Sequence, residues 1–546
     1  MNKVASYLQS HISGEVLVGE SIRQHFSTDA SIITLKPALV VHPRTTNDVR
    51  KIARFSWQLA ERGHVLPMTA RGNGTDLTGA AIGKGAVISF PTHLNKILEL
   101  DTKQKLVRVQ PGVNFKSLQE TLYTHGLFLP PAPESFEYST IGGAIANNSS
   151  GIRSFKYGDM SAWVDKLEVV LANGEVIQTG PLNKREVNKK LGLPTLEGEL
   201  YRAVDAILHD SEEIISSYQK AISVSSDNVG YALSSLQAKN GDVDLTQLFV
   251  GSQGTLGIIT EAILRVTEYT PASTLVVAAF TNLDDALEAT GKLAALKPSA
   301  LELVTSDLFD FIRKNNNIEL PPELMVEGHP GIVVFAEAHN QSDRALNKFT
   351  KQATKIISQY SDSCINATDF EEREKLWSYR YATSALMSYD SAGKSAIPLV
   401  QGVSVPPAAL HQFMDDAKQL SQKHHLETYF WVHTQSSEVM AVSIGDLSKL
   451  GDRQKVFKFM DEYFRLVIRL GGSIATTGAE GRVRGPFALL QVGSDLGVVF
   501  GQLKSAADPH STLNPGVKTG SSARDLIDAL RHEYSLDSFG DYLPRF

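Results

Sequence analysis

Short apolar runs alternate with helix-spaced apolar positions through the first half of the chain, and turn residues separate them. Residues 38–42 read as a strand, after which Thr45 and Thr46 offer an N-cap. Val49, Ile52, Ala53, Trp57 and Ala60 then follow at the spacing of one helical face. Residues 66–70 and 86–90 are further strands. Residues 97–100 and 106–109 pair as a hairpin around 101–105, closed by Pro111-Gly112. Leu118, Leu122 and Tyr123 mark another helix, and Pro130, Pro131 and Pro133 stiffen the segment after it. A second hairpin joins 167–171 to 175–178 through Asn173-Gly174. Residues 200–218 read as one charged helix, and 248–265 as a small-residue turn between two apolar strands.

Composition shifts near Tyr269-Thr270-Pro271. Beyond it, 273–280, 284–295 and 300–305 make a strand–helix–strand unit, and 331–338, 342–359 and 366–370 repeat the order. Two such halves predict an antiparallel sheet backed by helices, hence a second domain. Helices are expected over 407–424 and 452–470, followed by a glycine-bearing stretch at 471–485. The fold class is therefore α+β.

Two stretches break the periodicity, RGNGTDLTG at 71–79 and TIGGAIANNSSG at 140–151. Gly72, Gly74 and Gly79 let the main chain approach a ligand closely. Exposed N–H groups in such a turn form a concave anion site, and Asn73, Thr75 and Thr78 add side-chain donors. Charge-assisted hydrogen bonds are worth roughly 1.5–3 kcal/mol each, so four or five hold a diphosphate without a metal. A buried diphosphate points to a dinucleotide cofactor and redox chemistry. Residues 71–79 are not GxGxxG, and no acidic residue ends a strand ~20 positions on, which disfavours a nicotinamide cofactor.

With 546 residues the chain is long enough for two or three domains. Its net charge of −7 argues against nucleic acid as a partner. A lone cysteine, Cys364, excludes an intramolecular disulfide and a cysteine-based metal site. The N-terminus lacks the apolar run of a signal peptide, and no stretch approaches a membrane span. The cytoplasm is the simplest location. Peripheral membrane contact through an amphipathic helix at 523–534 competes with a terminal helix docked on the body.

The ordered landmarks identify a resemblance. They are Arg71-Gly72-Asn73-Gly74-Thr75, Val109-Gln110-Pro111-Gly112, Ser139-Thr140-Ile141-Gly142-Gly143, Asn147, Gly151 and Tyr157-Gly158. They continue with 251–260 (GSQGTLGIIT), Leu376-Trp377-Ser378-Tyr379-Arg380, and Asp508-Pro509 through Asn514-Pro515-Gly516 to Lys518. The chain resembles the vanillyl-alcohol-oxidase/PCMH-type flavoproteins, most of all the glycolate oxidase and D-lactate dehydrogenase branch.

The resemblance implies an N-terminal helical segment (1–36), a two-part FAD-binding domain (37–270), a ferredoxin-like cap holding substrate (271–470) and a C-terminal return (471–546). It implies that Arg71, Gly72, Asn73, Gly74, Thr75, Asp76 and Gly79 wrap the FAD diphosphate. Pro131, Ser135, Thr140, Gly142, Gly143, Asn147, Gly151, Gly251, Gly254, Thr255, Gly257 and Ile259 would line the cofactor, with Asn514 beside them. No histidine lies in these loops, so FAD is expected to be non-covalent; His93 and His125 read as surface or packing residues. The implied reaction is oxidation of a CH–OH group of a small hydroxy acid such as D-lactate or glycolate. The acceptor of the electrons, whether quinone, electron-transfer flavoprotein, cytochrome or oxygen, stays open, and a homodimer is compatible with this reading.

The branch carries a metal centre in two segments, H-x-G-D-G-N-x-H and G-E-H-G-D-G-R-L-R. Here the first reads His433-Thr434-Gln435-Ser436-Ser437-Glu438-Val439-Met440, so its second histidine is Met440. In the second, Thr477 replaces the glutamate and Gly478 the histidine. A zinc-like site wants three or four N, O or S ligands, so no metal is expected. Oxidation still needs a base for the hydroxyl proton. His433 and Glu480 are the candidates. Arg380 is the candidate carboxylate clamp, because guanidinium binds carboxylate bidentately. Arg484 and Arg482 are candidates for binding an acid or balancing the reduced flavin, and Lys394 is a weaker one. Other readings stay open: an oxidase of another alcohol, a non-redox flavoenzyme, or a flavin-binding subunit without catalysis.

Overall fold

The Thr45 side chain accepts a hydrogen bond from the Asp48 amide and starts the first long helix, Thr46–Ala60, which buries Val49, Ile52 and Ala53. Three strands near it in sequence pair in parallel, in sheet order Leu39–His42, Ala86–Ser89, Met68–Arg71. The computed structural model describes residues 2–534 except 317–318, 340, 386–389, 392–393 and 435. Segment 1–36 is not purely helical: Glu15–Leu17 adds an antiparallel strand beside Leu39–His42.

A second, antiparallel sheet runs Ile97–Asp101, Leu106–Val109, Ile258–Arg265, Val164–Val170, Val176–Gln178. Both expected hairpins form in it. The third turn differs from expectation, since a short helix, Thr246–Phe249, precedes it in place of a strand. The expected helix at 200–218 is two, Leu196–Asp210 and Glu212–Ala221, meeting at Ser211.

The cap sheet is entirely antiparallel among the described residues. Ser273–Phe280 and Ile332–His339 pair along their whole length. Ala300–Val304, Glu427–His433 and Glu438–Gly445 continue the sheet. Expected strand 366–370 is instead a short strand, Ile365–Ala367, followed by the helix Phe370–Ala385. The glycine-bearing stretch runs into a long helix, Gly481–Ala507, interrupted at Gly493. The tail helix Ala523–Ala529 docks, burying Leu526 and Ala529. Leu530 bridges to Ile33, and the Tyr534 hydroxyl donates to the Ala30 carbonyl. Among the described residues no helix is long and apolar enough to cross a membrane.

Candidate active site

Strand Met68–Arg71 delivers the chain into the first glycine turn, where Gly74 adopts φ +76°. A Cβ there would sit 2.2 Å from the Arg71 guanidinium, and one at Gly72 would sit 2.2 Å from Thr140 Oγ1. The first turn is thus packed directly on the second. Thr140 caps the helix Ile141–Asn147, accepting from the Gly143 amide. Asp76 gathers the amides of Thr78 and Ala80 at 3.1 and 2.7 Å and the Asn147 amide group at 3.0 Å. Asn147 Oδ1 in turn accepts from Gln253 Nε2 at 2.8 Å. One chain of hydrogen bonds, Asp76–Asn147–Gln253, draws three separated turns together.

The turns enclose two adjoining cavities of about 200 and 80 Å³ that share Gly72, Asp76, Thr140, Gly143 and Asn147 as walls. The larger is lined by Asn73, Gly74, Thr75, Ser135, His433 and Arg484 as well, and by Ala30, Thr78, Glu134, Tyr138, Gln401, Trp431, Met440, Thr477 and Gly478. The smaller takes Arg71, Gly142, Gly254, Gly257 and Ile259. Two lining hydroxyls, Ser139 Oγ and Ser150 Oγ, are buried without a hydrogen-bond partner. A buried polar atom left unpaired costs about 1–3 kcal/mol, so a hydrogen-bonding ligand here recovers that free energy. An elongated, glycine-walled cavity with unmet hydroxyls fits a dinucleotide.

Other expected ligands lie outside the cavity walls. Gly79 packs on Ile33, and its carbonyl accepts from Arg482. Gly151 backs closely onto the Ala132 carbonyl, and Pro131 is likewise buried off the cavity. Gly251 donates to the Ile145 carbonyl and faces a separate polar cleft. The Thr255 hydroxyl is occupied by Ser252 and Tyr231. Asn514 pins the first and third turns from behind, donating to the carbonyls of Ala80 and Gln253. These residues shape the walls without reaching into them.

The cap wall follows from strand register. Glu302, His433 and Glu438 are cross-strand partners in one row, and Val304, Trp431 and Met440 form the next. His433 Nδ1 meets Glu302 Oε1 at 2.7 Å. Burial disfavours the imidazolium, but the Glu302 charge and hydrogen bond outweigh it and lift His433 to about 9. Glu438 is pushed up to about 7, mainly by burial. Arg380 is 1% exposed and does not line the cavity. Its Nε and one terminal nitrogen donate to Glu302 Oε2 at 2.9 and 2.8 Å, and that terminal nitrogen also donates to Glu134 Oε1 at 2.6 Å. Trp431 Nε1 donates to the same Glu134 oxygen at 3.1 Å. Burial of Glu134 opposes its ionisation, yet Arg380 and His433 hold it below the usual carboxylate range.

Arg484 is different in kind. Its guanidinium donates to the carbonyls of Gln401, Gly402, Ile474 and Ala479, and burial lowers it to about 10. Arg482 binds the Gly79 and Pro515 carbonyls behind the first turn. Glu480, a candidate base, is fully buried away from the cavity, bonded to Lys518 at 2.6 Å and to the Gly230 amide at 2.9 Å. Lys394 starts an exposed strand end and is not on the cavity wall. Gln435 lies outside the described residues. Among those described, no group of three or more His, Cys, Asp or Glu is arranged to hold a metal ion.

Glu134, Glu302 and Trp431 escaped the reading of the sequence. The signal for Glu302 is one charge inside the buried strand Ala300–Val304. Trp431 stands two residues before His433, hence on the same strand face. Glu134 sits in the proline-rich segment with nothing local to mark it.

Residues 37–180 match the family model for the FAD binding domain, and residues 270–517 that for the C-terminal domain of FAD linked oxidases. The chain belongs to the FAD-linked oxidases. This flavoprotein is 27% identical over 516 residues to a D-2-hydroxyglutarate dehydrogenase of Pantoea ananatis, covering 92% of the chain but 50% of that protein. It thus spans about half the length of that relative. Glycolate oxidase subunit GlcD of Bacillus subtilis is also 27% identical, over 91% of this chain and 92% of that one. Among solved structures, 4-ethylphenol oxidase from Gulosibacter chungangensis superposes with a TM-score of 0.70 at 19% identity, covering 96% and 98% of the two chains. That likeness establishes the fold, a PCMH-type FAD-binding domain with a cap, and FAD is the cofactor of this flavoprotein.

Proposed function

We propose that this chain oxidises the CH–OH group of a small hydroxy acid such as D-lactate or glycolate, with FAD held non-covalently along the three turns. FAD bound there supplies the acceptor, flavin N5, for the hydride leaving the substrate carbon. The observation that carries the reading is the Glu302–His433 pair at the cap end of the cavity. Glu302 holds Nδ1, which orients Nε2 as the atom that takes the hydroxyl proton, and its charge stabilises the imidazolium that results. Arg484 suits the substrate carboxylate, because four carbonyls rather than a carboxylate surround it and its positive charge is still available. Trp431 and Met440 supply apolar wall against the rest of the substrate and exclude water.

Anaerobic stopped-flow mixing with D- and L-lactate, glycolate and larger 2-hydroxy acids tests this. Bleaching of the flavin by one enantiomeric series is expected. If no 2-hydroxy acid bleaches it, the reading fails. The second reading, a flavin-binding subunit without catalysis, then takes its place, supported by Met440, Thr477 and Gly478 on the cavity wall.

A further inference from the structure

Two buried arginines, Arg484 on the cavity wall and Arg380 behind it, are treated in opposite ways. Arg484 is surrounded by neutral carbonyls, whereas Arg380 already contacts two carboxylates, Glu302 and Glu134, that reach it from the cap sheet and from the FAD-binding domain. The Arg380 charge is thus already met by two carboxylates before any substrate arrives. A further carboxylate at Arg380 would have to expel Glu134, which is also held by Trp431 Nε1. Glu134 lines the cavity and Arg380 does not. Substrate therefore meets the glutamate and not the guanidinium behind it.

Resting on the function proposed above, we propose that Glu134 determines specificity by closing Arg380 to substrate acid groups. The site then takes 2-hydroxy acids with one carboxylate and an uncharged remainder lying on Trp431 and Met440. It rejects dicarboxylic hydroxy acids, whose second carboxylate finds no unbalanced cation and a like charge on Glu134.

The test is binding of glutarate, an unreactive dicarboxylate, to the FAD-loaded protein by titration calorimetry, for wild type, Glu134→Gln and the double variant Glu134→Gln with Arg380→Leu. The glutamine keeps the size and the Trp431 acceptor, so the fold is retained. Glutarate is expected to bind E134Q about tenfold or more tighter than wild type, the worth of one charge-assisted hydrogen bond, and the double variant should lose that gain. Equal glutarate affinity in wild type and E134Q overturns the proposal, as does wild-type flavin reduction by 2-hydroxyglutarate as fast as by lactate. If no hydroxy acid reduces the flavin, the proposed function fails while the glutarate comparison still decides whether Glu134 closes Arg380.

Discussion

His433 carries the sharpest residue-scale consequence. Its ordinary value near 6.5 is lifted to about 9, so at neutral pH the ring is mostly imidazolium and the base form is scarce. The neutral form takes the substrate proton, so the rate of flavin reduction should rise about tenfold per pH unit below 9 and level off above it. Glu302→Gln removes the lifting charge and leaves the desolvation. The inflection should then move down from about 9, read from the same pH series. His433→Asn should slow reduction by about 10²–10⁴ at its optimum without lowering flavin content. An unshifted profile in Glu302→Gln would remove His433 from the role of base.

At the scale of elements, the turns and helix ends decide what the chain can hold. Gly74→Val places a branched side chain at φ +76° against the Arg71 guanidinium, and flavin content read at the visible absorption band should fall to near zero. Gly493→Ala is the control. It has the same φ, +76°, but open space around its Cβ, so it should cost about 1 kcal/mol of stability and keep its flavin. The helix Gly481–Ala507 shows why such elements are hard to read locally. Gly485, Pro486, Gly493, Gly497 and Gly501 depress its propensity, while burial of Val483, Phe487, Leu496, Val499 and Leu503 forms it in the folded protein. By contrast the helix Thr46–Ala60 carries both its cap and its apolar stripe in sequence, and the expected and observed bounds agree closely.

Across the whole molecule, Ala30 and Tyr534 converge on the first glycine turn from distant parts of the sequence. The Ala30 amide donates to the Gly74 carbonyl, and the Tyr534 hydroxyl donates to the Ala30 carbonyl at 2.9 Å. Ser395 of the cap donates to the Tyr534 carbonyl, so one segment ties the N-terminal strap, the turn and the cap together. Tyr534→Phe should cost about 0.5–1.5 kcal/mol in denaturant unfolding and speed the loss of flavin on dilution. The two domains are also joined by Arg153 and Glu337, bidentate at 2.9 and 3.0 Å.

The three glycine turns, the two hairpins, the strand–helix–strand halves of the cap and the flavoprotein family were all legible in the sequence. Each depends on residues close together along the chain, where turn chemistry and periodicity act. The roles at the cap wall were decided only in the tertiary structure. Arg380 reads as a carboxylate clamp until Glu134, 246 positions away, is brought against it, and Glu302 reaches His433 across 131 positions by sheet register. A side chain's charge state and free valence are properties of its neighbours, and here long-range strand pairing and domain packing supply those neighbours.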